Sequence, residues 1–122
     1  MAILLADDEP SVRALLGRIL QDAGFEIIEA PDGREAWRLI QKLHPTIELV
    51  VSDVVMPHLS GTELGARIRQ SYPNLQVLLV SGYSAEELKA RGLGRSEFPL
   101  IKKPFHAVDF LQSVQRLVSR RS

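Results

Sequence analysis

Five short apolar runs, at residues 2–6, 25–30, 47–53, 76–80 and 98–101, constrain this chain more than any other feature, because each is followed by a segment with helical periodicity. Val12, Leu15, Leu16, Ile19, Leu20 and Ala23 recur as one helical stripe, and Ala36, Leu39, Ile40 and Leu43 as a second. Leu64, Ile68 and Tyr72 give a third, and Ala107, Phe110, Leu111, Val114, Leu117 and Val118 a closing one. The punctuation agrees. Pro10 suits a first helical turn, Gly24 closes that helix, and Pro31-Asp32-Gly33 makes a turn that caps the next one. His44-Pro45 and Pro73-Asn74 end helices, and Ser60 to Glu63 and Ser84 to Glu87 have the spacing of capping boxes. The helix after Ser84 is expected to be the weakest, since Gly92 and Gly94 follow within about two turns. Apolar runs alternating with helices predict right-handed crossovers and a parallel sheet covered on both faces.

The predicted fold class is therefore α/β, a doubly wound five-stranded parallel sheet of the flavodoxin-like kind. The strand order 2-1-3-4-5 places a topological switch between strands one and three. With 122 residues, 45% of them hydrophobic and 25% charged, the chain reads as one globular domain spanning 1–122. Fifteen Lys and Arg balance fifteen Asp and Glu, so no global basic field is available for nucleic acid, and Arg120-Arg121 alone is a weak hint. The absence of cysteine excludes disulfides, thiol nucleophiles and cysteine-ligated metal sites, and fits a cytoplasmic location. No secretory signal or membrane span is read: the opening apolar residues run into Asp7-Asp8-Glu9, far short of the roughly 20 residues a span needs.

In such a sheet, ligands bind outside the C-terminal ends of the strands. Those ends carry Asp7 and Asp8 after the first strand, Asp53 at the tip of the third, Ser81 after the fourth and Lys103 after the fifth. Taken one at a time, the acids read as helix caps, Ser81 as a turn former and Lys103 as a surface residue. Together they make a chemistry. Carboxylates crowded into one site repel one another unless a cation relieves them. Oxygen ligands without His or Cys select a hard divalent ion, Mg2+ or Mn2+, with positions left for water and phosphate oxygens. Lys103 supplies positive charge and Ser81 a donor to such oxygens, and Asp53 is placed to attack phosphorus. Trp37, beside its helical stripe, reads as a packing residue; His44, His58 and His106 show no metal spacing and read as surface residues.

With these residues in place, the sequence from Ala2 to about Val118 resembles the receiver domain of two-component response regulators, with wording around Leu79-Val80-Ser81-Gly82-Tyr83 similar to receivers attached to hybrid histidine kinases. Five motifs carry the resemblance: Asp7-Asp8, Asp53, Met56-Pro57 with Gly61, Ser81-Gly82 and Lys103-Pro104. It implies that Asp53 accepts a phosphoryl group from a sensor or hybrid histidine kinase or a histidine phosphotransfer protein. It further implies that Asp8 and Asp53 ligate Mg2+ directly, that Asp7 holds a metal-bound water, that Val55 adds a backbone carbonyl, and that Lys103-Pro104 is a cis peptide. The domain would then catalyse its own aspartyl phosphorylation and dephosphorylation as a signalling element, existing as a monomer or a weak phosphorylation-dependent dimer. One position departs from the pattern. Many receivers carry Phe or Tyr three residues before the lysine as an aromatic switch, and this chain has Leu100. Tyr83, two residues after Ser81, reads first as a packing or surface-contact residue and is otherwise the candidate to take over or, with Val55, to gate water at the site.

Three other readings are weighed against this one. A haloacid-dehalogenase-like phosphatase also uses an aspartyl nucleophile after a strand, but needs a second Asp two residues on, where Val55 stands. A structural receiver that is never phosphorylated would keep the fold and lose site residues, whereas all five are present. A flavodoxin-like cofactor binder would need a phosphate loop where Asp7-Asp8-Glu9 repels phosphate. The chain is expected to be either a stand-alone receiver or a piece of a larger protein.

Overall fold

A computed structural model of the chain describes residues 1–93 and 97–121, the side chains of residues 120 and 121 excepted. Gly94 and the side chains of the Arg120-Arg121 pair, both used in reading the sequence, lie outside the described residues. The elements alternate as β1 (Ala2–Ala6), α1 (Pro10–Asp22), β2 (Glu26–Ala30), α2 (Gly33–Leu43), β3 (Ile47–Asp53), α3 (Gly61–Ser71), β4 (Gln76–Ser81), α4 (Ala85–Ala90), β5 (Leu100–Lys102) and α5 (Ala107–Arg121), with a 3-10 turn at His44–Thr46. The five strands form one parallel sheet in the order β2-β1-β3-β4-β5. Both the α/β class and the order match the expectation.

Alternate residues of each central strand feed two cores. Leu4 and Ala6 of β1 and Val50 of β3 join Ala36, Ile40, Leu64 and Ile68 of α2 and α3 on one face. Ile3, Leu5, Leu49 and Val51 join Leu16, Leu20, Phe110, Val114 and Leu117 of α1 and α5 on the other. Strands buried on both faces have no polar side to tolerate a slip, so the register of β1 and β3, and with it the height of their acidic ends, is firmly specified. The caps behave as read: Asp32 accepts the Glu35 N–H, and both capping boxes, at Ser60 and at Ser84, are complete. Among the described residues no helix is long and apolar enough to cross a membrane.

Several local expectations are corrected. The fifth strand is Leu100–Lys102, not 98–101. Phe98 instead turns its ring onto α3, where a Cβ at Gly65 would come within 2.5 Å of it, and beneath the Arg69 guanidinium at 4.8 Å from the ring centroid. Leu15 is 62% exposed, at the edge of the α1 stripe, and Ala23 and Ala107 are exposed as well. The second strand begins at Glu26, one residue after Phe25, and Tyr72 caps α3 without belonging to it. Trp37 is half-buried, as a packing residue should be, with Tyr72 at 5.9 Å. His58 and His106 are exposed as expected, whereas His44 is half-buried and stacked on Tyr72 at 4.2 Å.

Candidate functional site

The site is assembled from strand ends. Asp7 follows β1 and Asp53 ends β3, and because these strands are neighbours the two carboxylates and that of Asp8 have oxygens within 4.8 Å of one another. Asp7 is 1% exposed and Asp53 9%, while Asp8 faces solvent. Asp7 is held by its surroundings: its Oδ1 accepts the Glu9 N–H at 2.9 Å, and its backbone carbonyl accepts from Arg13 at 2.7 Å. Arg13 in turn pairs with Glu29 at 3.2 Å, tying α1 to the ends of β1 and β2.

Lys103, one residue past β5, enters from the other side. Its Nζ lies 3.4 Å from Asp7 Oδ2 and 3.6 Å from Asp53 Oδ2, so one ammonium faces two buried carboxylates. The Lys103 N–H donates to the Ser81 carbonyl at 2.7 Å, and the Lys103-Pro104 peptide is cis. Ser81 is fully buried, and its Oγ accepts the Tyr83 N–H at 3.0 Å. Asp8, Glu9, Val12, Asp53, Val55, Gly82, Tyr83 and Lys103 line an open cleft of about 490 Å³ above the acids.

Electrostatics single out Asp53. Burial pushes its carboxyl from 3.8 up to about 6, Lys103 opposes the rise, and the negative charges of Asp7 and Asp8 add to it. The crowded, oxygen-only donor set fits a hard divalent cation, whose charge would undo both causes of the rise. The loop after Asp53 is closed by glycine. A Cβ at Gly61 would lie 2.2 Å from the Asp53 carbonyl oxygen, and the Gly61 N–H donates to Val54 at 2.8 Å, so α3 starts directly against the end of β3.

The family model for the response regulator receiver domain matches residues 3–115. The chain belongs to this receiver family. It is 35% identical over 120 residues to the sensor kinase CckA of Brucella abortus, covering 98% of this chain and 13% of that protein. It is 36% identical over 118 residues to the response regulator GtcR of Aneurinibacillus migulanus, covering 97% and 48%. It thus spans less than half of either relative. Among solved structures, the receiver domain of the hybrid histidine kinase CckA superposes with a TM-score of 0.80 at 29% identity, over 97% of this chain and 99% of that one.

Four of the five sequence motifs meet at one rim. Asp7, Asp8 and Asp53 are in mutual reach, Lys103 reaches Asp7 and Asp53, Val55, Gly82 and Tyr83 line the same cleft, and Ser81 accepts the Tyr83 N–H. Leu100, on β5 at 44% exposure, does not line this cleft. Sequence reasoning missed Glu9 and Val12 as cleft residues and the Arg13 brace behind Asp7. Glu9 adjoins a named residue, which was a usable signal. Arg13 gave none, because its contacts join three separate elements.

Proposed function

We propose that residues 1–122 act as one phosphoacceptor receiver domain of a two-component phosphorelay, with Asp53 as the accepting residue. The observation that carries this reading is the single ammonium of Lys103 set between two buried carboxylates at the end of the central strand, with a third carboxylate alongside. Asp53 Oδ attacks the phosphorus of a phosphohistidine, the P–N bond breaks, and the imidazole leaves with the electron pair. Lys103 turns from the carboxylates to the incoming phosphoryl oxygens, and Ser81 donates its hydroxyl proton to one of them. Asp8, Asp53 and the Val55 carbonyl would hold a divalent cation, Mg2+ or Mn2+, with Asp7 holding one of its waters, and its charge would let an anion enter among acids.

The phosphoryl donor in this reading is a sensor or hybrid histidine kinase, or a histidine phosphotransfer protein, a choice supported by the likeness to receivers of kinases. The phosphorylated domain changes its protein contacts, as a monomer or a weak phosphorylation-dependent dimer in the cytoplasm. The test is intact mass after incubation with acetyl phosphate, with and without Mg2+. The native chain should gain one phosphoryl group only with the metal; equal labelling of Asp53→Asn would remove Asp53 from the role.

A further inference from the structure

Tyr83 lines the cleft above Asp53, and its ring is not held by the site alone. The guanidinium of Arg91, which follows the last turn of α4, lies over the Tyr83 ring with its central carbon 4.3 Å from the centroid. That distance is well inside the range of a favourable cation–π contact. Glu87, one turn before Arg91, has its carboxylate held at the capping box, where it accepts the Ser84 N–H at 2.9 Å, and its charge still acts with Arg91. On its inner side Tyr83 packs against the core beneath α4, and its N–H is engaged by Ser81 Oγ. The ring is thus clamped between the core and one cation.

We infer that Arg91 is a positioning residue for the lifetime of the phosphorylated state: it holds the Tyr83 ring across the approach to Asp53 and thereby keeps water from the aspartyl phosphate. This rests on the phosphoacceptor reading of Asp53. Hydrolysis needs a water in line with the bond that breaks, so that its oxygen forms a new bond to phosphorus while the carboxylate of Asp53 leaves with the electron pair. A ring that spends more time away from the cleft admits that water more often. Arg91 touches neither the carboxylates nor the metal-binding positions, so its effect is confined to decay and should spare the binding of Mg2+.

The test is a double-mutant cycle on decay of the phosphorylated chain, prepared with acetyl phosphate and Mg2+ and followed by intact mass. Arg91→Gln should decay about two- to fivefold faster than native, the population change that losing one exposed cation–π contact produces. Arg91→Lys, which keeps a cation, should recover part of the native lifetime. In a Tyr83→Ala background, Arg91→Gln should have no further effect. NMR gives a readout independent of phosphorylation: the Arg91 Hδ protons should carry an upfield ring-current shift that Tyr83→Ala abolishes. Native decay in Arg91→Gln, or acceleration of equal size with and without the Tyr83 ring, overturns the inference and leaves the role of Asp53 standing. A native chain that shows the ring-current shift yet takes no phosphoryl group overturns the phosphoacceptor reading, and this inference with it.

Discussion

Replacing Asp53 by Asn should stabilise the metal-free protein at neutral pH, and the size of the gain can be worked from the site. Burial and the charges of Asp7 and Asp8 move the Asp53 carboxyl from 3.8 to about 6. At 1.36 kcal/mol for each tenfold change in proton affinity, that corresponds to roughly 3 kcal/mol of differential stability. The sign follows from proton uptake. Between 3.8 and about 6 the folded chain binds more protons than the unfolded one, so this contribution is fully present below 3.8 and is lost as pH rises through about 6. Asn keeps the volume of the side chain and removes the charge. In urea titrations with EDTA, the two proteins should be close in stability near pH 3.5 and diverge to roughly 3 kcal/mol at pH 7, with the variant melting roughly 10 °C higher there. Saturating Mg2+ should close most of the gap, since a ligand at 100 times its Kd contributes about 2.7 kcal/mol to the native chain and far less to the variant. Parallel pH profiles, or a variant less stable at pH 7, would show that Asp53 is a satisfied structural acid.

Gly61→Ala should cost roughly 1–3 kcal/mol in urea unfolding and weaken Mg2+ binding, because its Cβ would meet the Asp53 carbonyl oxygen at 2.2 Å and must push α3 or the end of β3 aside. A variant within about 0.5 kcal/mol of native would show that the loop yields at no cost. Ser60→Ala removes the hydroxyl that accepts the Glu63 N–H and should lower stability by about 1 kcal/mol, measured by thermal melting, while leaving phosphoryl uptake intact. Val55 and Tyr83 flank the cleft, and at least one of Val55→Asn and Tyr83→Ala should shorten the life of the phosphorylated chain several-fold at unchanged Mg2+ affinity. If both decay at the native rate, neither side chain screens the phosphoryl group from water.

Much of this site was legible because it is built from the ends of apolar runs. A run such as Leu49-Val50-Val51 has few ways to be covered other than as a strand buried on both faces, so the residue that ends it is delivered to the rim of the sheet. That logic placed Asp7, Asp53 and Ser81, and the parallel order then brought Lys103 beside them. It failed where position depends on an approach between distant elements. Phe98 is as apolar as a strand residue, but the groove that takes its ring exists only because Gly65 on α3 has no side chain there. Leu15 has the right period and the wrong face: α1 is covered by β-sheet and α5 over a narrower arc than its stripe of Leu and Ile spans. The Arg91–Tyr83 stack has no sequence signature, since an Arg after a helix is an ordinary C-terminal residue until the fold brings a ring beneath it.

The two sides of the site are held with unequal firmness, and this bears on how a change at Asp53 can spread. Asp7 and Asp53 leave strands paired with each other along five residues and buried on both faces. Ser81 leaves β4, which is buried and paired with β3 along five residues, whereas Lys103 leaves the half-exposed β5, paired with β4 along three. Local opening is cheapest where the ladder is short and few apolar contacts are buried. A new charge on Asp53 would therefore be accommodated on the side of β5 and Lys103. Leu100 has no ring to bury and is exposed already, so its side chain offers no second packed position to select. Tyr83 does have a stake in any motion of Ser81: its N–H donates to the oxygen of the hydroxyl that a phosphoryl group would draw, and its ring lies under Arg91 at the end of α4. Withdrawal of Ser81 Oγ would free the Tyr83 backbone while Arg91 still holds its ring, so a shift at Ser81 would be felt at the end of α4.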